Sequence, residues 1–156
     1  MKKLAILAVA VAAAIPGSAF AVTGDIQFDG TVSNTCSITV VDAGTLATNV
    51  GQTVLGSEET GGAAGTATIV TTSAAYSISA DAPSAFTNAP TGGNTNVTFA
   101  ANYSASGASS IGQTDGGTAT GLSTGSYDVN VNMAATKSTG SFPSGSYDAT
   151  VVLRCE

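Results

Sequence analysis

The stretch SGSYDATVVL occupies residues 144–153, and a near-copy, TGSYDVNVNM, occupies residues 124–133. In both, a Gly-Ser pair precedes Tyr-Asp and a run in which apolar and polar residues alternate. Alternation with a period of two is the pattern of a β-strand with one buried face. We therefore predict an interior strand in the earlier copy and the last strand of the fold in the later one. The apolar positions are Tyr127, Val129, Val131 and Met133 in the earlier copy and Tyr147, Ala149, Val151 and Leu153 in the later one.

The repeated Gly-Ser-Tyr-Asp motif has two interpretations. Two strands share one kind of entry turn, or the segment is an internal duplication. Similarity fades after the four-residue motif, which favours a shared turn. The spacing of the two copies does not recur elsewhere in the chain, so a solenoid is not predicted.

The rest of the chain shows the same alternation and no helical period. Strands are predicted at residues 36–40 and 97–103, with a weaker one at 50–55. Residues 67–70 and 76–80 are predicted to form two short strands or one bent strand. Residues 104–124 are rich in Gly, Ser and Thr, with Ile111 and Leu122 as apolar anchors, and are predicted to form a long surface loop. Short strands between Gly-rich turns predict an all-β antiparallel sandwich.

The first 21 residues have the three parts of a secretory signal peptide. Lys2 and Lys3 precede an apolar run at residues 4–15, and the small-x-small triplet AFA closes the segment at residues 19–21. The apolar run is shorter than the roughly 20 residues that a transmembrane helix needs, which makes a retained membrane anchor the less favoured alternative. We predict cleavage after Ala21 and export of a single domain.

Charge and cysteine content narrow the classes of partner. Only Lys137 and Arg154 are basic beyond residue 21, against ten acidic residues, so nucleic acid and anionic lipid are poor partners. In an oxidising compartment, Cys36 and Cys155 are expected to form one disulfide. Two separately buried thiols are the alternative, and the sequence leaves open whether the cysteines pair within one chain.

The residues that enzymes commonly use are scarce. The chain has no His, so a Ser nucleophile lacks its usual base. Asp25 with Asp29, and Glu58 with Glu59, are expected to be solvated surface carboxylates. Residues 113–121 contain a single weak match to a calcium-binding repeat. We therefore predict a protein that is not an enzyme and that has no catalytic, metal-binding or cofactor-binding residues.

Residues 22–33 alternate ahead of the first cysteine. Ile26, Phe28, Gly30 and Val32 share one face of this segment, polar residues occupy the other, and Cys36 opens the next strand. Together with the signal peptide, the β-only body and the terminal run of residues 145–153, this order resembles that of subunits of chaperone–usher pili. The archaic or class 5-like branch and the type 1-like branch both remain open.

The resemblance implies an incomplete immunoglobulin-like β-sandwich, the pilin fold, in which the seventh strand is missing and a donor strand completes the domain. Residues 1–21 would be the signal peptide, residues 22–33 the N-terminal donor-strand extension and residues 34–156 the pilin domain. Donor side chains would enter pockets of a neighbouring subunit by β-strand addition. The donor residues would be Ile26, Phe28, Gly30 and Val32, and the groove and chaperone-facing residues would be Tyr147, Ala149, Val151 and Leu153.

The resemblance also implies partners and a location. A periplasmic chaperone, an outer-membrane usher and identical or related pilin subunits would bind the chain, and a receptor on a host or other surface is a further candidate. The subunit would pass through the periplasm to the cell surface and form the shaft of a fimbria that supports adhesion. The alternative is a self-contained secreted β-sandwich, an adhesin or coat protein, with a ligand site in residues 104–124.

Overall fold

The computed structural model describes residues 22–156, and the predicted signal peptide lies outside the described residues. The chain divides into two units, whose described parts are residues 22–31 and 32–156. Residues 22–31 contain no strand, and their apolar side chains are exposed, Phe28 at 90%. Within residues 22–156 no helix has the length and apolar character needed to cross a membrane.

Ten strands account for the regular structure of the described residues. Their lengths follow the local alternation of burial, which is clearest in the longest two. The strands are β1 (Cys36–Asp42), β2 (Ala47–Thr48), β3 (Val54–Gly56), β4 (Gly65–Thr71), β5 (Ser77–Asp81), β6 (Val97–Gly107), β7 (Ile111–Asp115), β8 (Thr120–Gly121), β9 (Gly125–Lys137) and β10 (Val152–Cys155).

The larger sheet is built around β9. On one side β9 pairs first with β4 and then with β3, and on its other side it pairs with β6 along most of its length. β1 lies outside β4, β2 outside β3 and β7 outside β6, and all these pairs are antiparallel. The prediction of an interior strand at residues 127–133 is therefore confirmed.

The smaller sheet has the order β10-β5-β8 and shares a core with the larger one. Ile69 and Tyr127 from the larger sheet and Ile78 and Ala80 from the smaller are fully buried in one cluster. Apolar side chains that alternate along a strand collect on one face, so two such faces exclude water only by packing against each other. The all-β prediction is confirmed as two antiparallel sheets with a common core, an arrangement consistent with a β-sandwich.

An aromatic cluster lies at one end of this core. Phe86 packs edge-to-face against Phe99 and Tyr147 with ring centroids 4.9 Å apart, and Phe142 completes the group at 6.0 Å from Phe86. Aromatic pairs in such geometry contribute about 0.5–1.5 kcal/mol beyond the area they bury. The cluster holds Tyr147, the first of the predicted groove residues, against the body of the fold.

The two copies of Gly-Ser-Tyr-Asp have the same local structure. Gly125 and Gly145 both have positive φ, 139° and 148°. Two residues later, Tyr127 Oη donates to the carbonyl of Ser123 at 3.1 Å and Tyr147 Oη to the carbonyl of Pro143 at 2.6 Å, each four residues back. The shared-turn interpretation thus has a structural basis, because each copy closes the turn that precedes it.

Three predicted boundaries were wrong. The strand predicted at residues 50–55 is confined to Val54–Gly56. Residues 104–124 are not a loop, since β6 continues to Gly107 and β7 and β8 follow, with Ile111 and Leu122 buried. Neighbouring strands supply the hydrogen bonds there and override the low strand propensity of Gly and Ser. The strand predicted at residues 147–153 begins only at Val152, because its partner β5 ends at Asp81. Before Val152, the C-terminal segment forms one isolated β-bridge, between Asp148 and Asn88.

Candidate functional site

Each sheet ends in a strand with one unpaired edge on the same side of the molecule. Among the described residues, β1 pairs only with β4 and β10 pairs only with β5. The Cys36–Cys155 disulfide joins the start of β1 to the end of β10, with 6.3 Å between the two Cα atoms. The predicted disulfide is therefore confirmed, and it ties the two sheet edges together at one end.

Away from the disulfide, the two edges enclose an open groove with a volume of about 340 Å³. A second hollow of about 420 Å³ adjoins it, because Gly44 and Leu46 line both. We call the two together the edge groove. The first part is lined mainly by apolar side chains from β1 and the segment after it, from β4 and β9, and from the C-terminal segment. They are Val40, Leu46, Ala67, Val131, Met133, Ala149, Val151 and Leu153.

Val40 shows that this groove is uncovered. Its partner across the β1–β4 ladder is Ala67, which is buried in the core, so the two side chains share the inner face of the sheet. Val40 is nevertheless 73% exposed, whereas Ile38 on the same face packs against the core. Fully burying a valine side chain contributes about 1.5–3 kcal/mol, and the open groove forgoes much of that at this position.

The backbone of the C-terminal segment is available on the groove side. Glu156 exchanges both backbone hydrogen bonds with Ser77, and Asp148 bonds to residues 87 and 88. Because bonding direction alternates along an antiparallel strand, Val152 and Arg154 also face β5. The N–H and C=O groups of the intervening residues, including Val151 and Leu153, therefore point to the free edge.

The side chains of the predicted groove residues face inward. Ala149, Val151 and Leu153 line the first part of the edge groove, and Tyr147 lines the second. Of the predicted donor residues, Ile26, Phe28 and Gly30 belong to the first unit, residues 22–31. Val32 belongs to the second unit and is 82% exposed.

The opposite wall of the groove was missed by the sequence analysis. Val40 was recognised as continuing the alternation of Cys36 and Ile38, but nothing in the sequence indicated that it lines a groove. Leu46 stands alone among Gly, Thr and Ala residues, and no periodicity marks it. Met133 was recognised as an inward residue of its strand, but nothing in the sequence indicated that it lies beneath an uncovered part of the fold.

One cation stands beside the groove. Arg154 on β10 faces outward, and its Nε donates to Asp81 Oδ2 at 2.5 Å, with about half of each side chain exposed. The hydrogen bond to Asp81 and the charge of that carboxylate raise the pKa of Arg154. Lys137, the other basic residue in the described part of the chain, donates to the carbonyls of Gly92 and Thr95 at 3.0 and 2.8 Å.

The arrangement is suited to binding an extended chain. It combines unpaired backbone groups, inward apolar side chains and an open groove. Within residues 22–156, no group of three or more Cys, Asp or Glu side chains is placed to hold a metal ion.

In comparisons with protein-family models, with curated proteins and with solved structures, nothing matches this chain, so its function is inferred from the groove itself.

Proposed function

We propose that this chain is the major structural subunit of a chaperone–usher surface pilus and that it polymerises by donor-strand exchange. The observation that carries the proposal is the open edge groove beside the unpaired edge of β10. An extended segment placed there would gain main-chain hydrogen bonds from β10 and would bury alternate side chains, which is the general mode of β-strand addition.

The strand order supports an immunoglobulin-like assignment. Immunoglobulin domains have strands A, B, E and D in one sheet and C, F and G in the other. β1, β4, β9 and β6 are adjacent in that order, which corresponds to A-B-E-D. β5 and β10 then correspond to C and F, and no strand within residues 22–156 occupies the position of G beside β10. The vacant G position coincides with the edge groove.

The leader, residues 22–33, has the properties required of the missing strand. The side chains that would enter the groove are those of Ile26, Phe28 and Val32. Gly30 would lie at the position on the same face where the incoming strand needs no side chain. These apolar side chains are exposed, and burial in a second copy would remove them from water. A periplasmic chaperone would occupy the groove first, an outer-membrane usher would direct the exchange, and the resulting fibre on the cell surface would support adhesion.

The alternative of a self-contained adhesin loses its proposed ligand site. That site required a long surface loop at residues 104–124, and most of this segment belongs to β6, β7 and β8. No observation on the described residues favours the alternative over strand addition.

Replacing Phe28 by Ser tests the proposed function. Phe28→Ser removes a donor side chain worth about 2–3 kcal/mol when buried, so we expect roughly a hundredfold weaker association between copies. Polymer formation by the full chain is measured by size-exclusion chromatography and electron microscopy over a concentration series. The matched control is Gln27→Ser, which changes the adjacent polar position by the same replacement and is expected to polymerise normally. Equal polymerisation by both variants would contradict strand addition by the leader.

A further inference from the structure

Strand addition by itself does not set the register of the inserted leader. The donor side chains recur at every second position, so a shift of two residues keeps the same face toward the groove. All strand pairs in both sheets of the domain are antiparallel. Antiparallel pairs are also slightly more stable per residue than parallel ones, so we expect the leader to run antiparallel to β10. Its N-terminal part then lies at the disulfide end.

The disulfide closes that end of the groove. A strand needs about 4.8 Å of separation from each neighbouring strand. The Cα atoms of Cys36 and Cys155 are only 6.3 Å apart, so no further backbone fits between β1 and β10 at this level. The leader residue opposite Cys155 has to leave the sheet there, and a side chain at this position would meet the bridge. Gly24 has no side chain that would collide with the disulfide. As a glycine it can also adopt the backbone conformations that let the chain turn out of the sheet.

Arg154 supplies the second constraint. It neighbours Cys155 on β10, points outward and is half exposed. Its bond to Asp81 uses Nε, and a guanidinium has further N–H donors. With Gly24 opposite Cys155, the next leader residue, Asp25, lies directly opposite Arg154. Opposite charges in directly facing positions of an antiparallel pair are stabilising.

The neighbouring registers lack this match. Moving the leader two residues one way places Val22 opposite Cys155 and Asp29 opposite Asp148, and like charges in facing positions are destabilising. Moving it two residues the other way places the β-branched side chain of Ile26 against the disulfide.

We propose that the Cys36–Cys155 bridge and Arg154 together fix the register of the inserted leader, with Asp25 opposite Arg154 and Phe28 opposite Val151. This inference rests on the proposed function, because the occupant is residues 22–33 of a second copy. The register also places Phe28 at the part of the groove that Val151 lines together with the uncovered Val40. The bridge limits how far the leader enters, and Arg154 selects among the positions that remain.

Disulfide trapping between copies reads the register directly. In the proposed register Gln27 faces Val152 in a pair that is not hydrogen-bonded, where Cα atoms lie about 4.5 Å apart, within the range that a disulfide spans. A full chain carrying Gln27→Cys is mixed with one carrying Val152→Cys during assembly, oxidised mildly and run on a non-reducing gel. The matched control pairs Gln27→Cys with Thr150→Cys, which would face each other only in the shifted register.

The expected result is a cross-linked pair with Val152→Cys and little product with Thr150→Cys, whose diagonal separation of about 7–8 Å exceeds the range. Polymers that cross-link through Thr150→Cys, or through neither position, would overturn the register while leaving strand addition intact. Failure of the unmodified chain to polymerise would overturn the register together with the proposed function.

Neutralising the two leader carboxylates separately tests the role of Arg154. Asp25→Asn removes an exposed ion pair and is expected to weaken association about two- to fivefold, with less effect at high salt. Asp29→Asn is the matched control and is expected to leave association unchanged, because Thr150 faces it. Stronger association of Asp29→Asn would point to the register that opposes Asp29 to Asp148 and would overturn the proposal.

Discussion

Tyr127 and Tyr147 explain why the chain contains Gly-Ser-Tyr-Asp twice. Each hydroxyl bonds back to the residue four positions earlier, and each tyrosine follows a glycine of positive φ. Their surroundings differ, however. Burial raises the pKa of Tyr147, whereas at Tyr127 the same effect of burial is outweighed by hydrogen bonds with Ser109 and Ser123, and its pKa is lowered. The motif therefore encodes a turn, and the neighbours decide the environment of the ring.

Gly145 allows a direct test of this turn. Its φ of 148° is rarely adopted by residues with a side chain, and an added Cβ would meet the ring of Pro90. We expect Gly145→Ala to lower the free energy of unfolding by about 1–3 kcal/mol. Urea unfolding followed by circular dichroism measures the change.

Gly112→Ala is the matched control for Gly145→Ala. Nothing lies within 4 Å of a Cβ built at Gly112, and the φ of Gly112 is not positive. The free energy of unfolding of Gly112→Ala is therefore expected to be unchanged or slightly higher than that of the unmodified chain. If the two variants lost the same stability, the strain assigned to the turn at Gly145 would be wrong.

At the scale of elements, the sequence located the strands whose apolar residues alternate strictly. β9 and most of β6 were found this way, because Tyr127, Val129, Tyr103 and Ala101 mark a buried face. β7 and β8 were missed because each supplies or adjoins a single buried apolar residue, Ile111 or Leu122. β7 forms a hairpin with β6, and β8 pairs with β5, which lies far from it in sequence. Alternation indicated that the residues of the C-terminal wall share one face, and their place in a groove was an expectation from the resemblance to pilin subunits. The opposite wall brings together Val40, Leu46 and Met133 from separate parts of the chain, which no local pattern predicts.

The disulfide is the covalent link between the edge strands β1 and β10, and its removal is expected to be costly. It joins residues that are 119 positions apart in sequence, and losing a native disulfide typically costs a small domain about 2–5 kcal/mol. The variant is Cys36→Ser with Cys155→Ser, and the measurement is the denaturant midpoint with and without dithiothreitol. The reduced unmodified chain should match the variant, which itself should not respond to the reagent. A variant as stable as the oxidised chain would show that the edges are held by packing alone.

At the scale of the whole molecule, the proposed assembly brings together the apolar groove of the domain and the apolar side chains of the leader. The domain has an apolar groove that it does not fill, and the leader has exposed apolar side chains that find no cover within residues 22–31. The proposed assembly accounts for both features by one contact, between the leader of one copy and the groove of another. Sequence alone indicated the leader and one groove wall, but an empty position in a sheet becomes visible only once the strand order is known.

Supplying the leader within the same chain tests this complementarity. We expect a fusion that repeats residues 22–33 after Glu156, through a short flexible linker, to remain monomeric and to gain about 3–6 kcal/mol of stability from burial of two or three donor side chains. Chromatography and thermal unfolding measure both effects. The matched control carries Ser in place of Phe28 in the added copy and should lose much of the gain. A fusion that polymerises as before, with an unchanged melting temperature, would mean that the groove does not accept this segment.

The position of the disulfide has a mechanical consequence for the proposed fibre. Cys36 lies three residues after the end of the leader at residue 33. Cys155 lies in β10, the strand that would bind the leader of the next copy. Tension arriving through the leader at Cys36 would cross to β10 by a covalent bond. It would bypass the chain between the two cysteines, which are 119 positions apart in sequence. The sheets of each subunit would be spared most of the pulling force, so the shaft could be stretched without its domains unravelling.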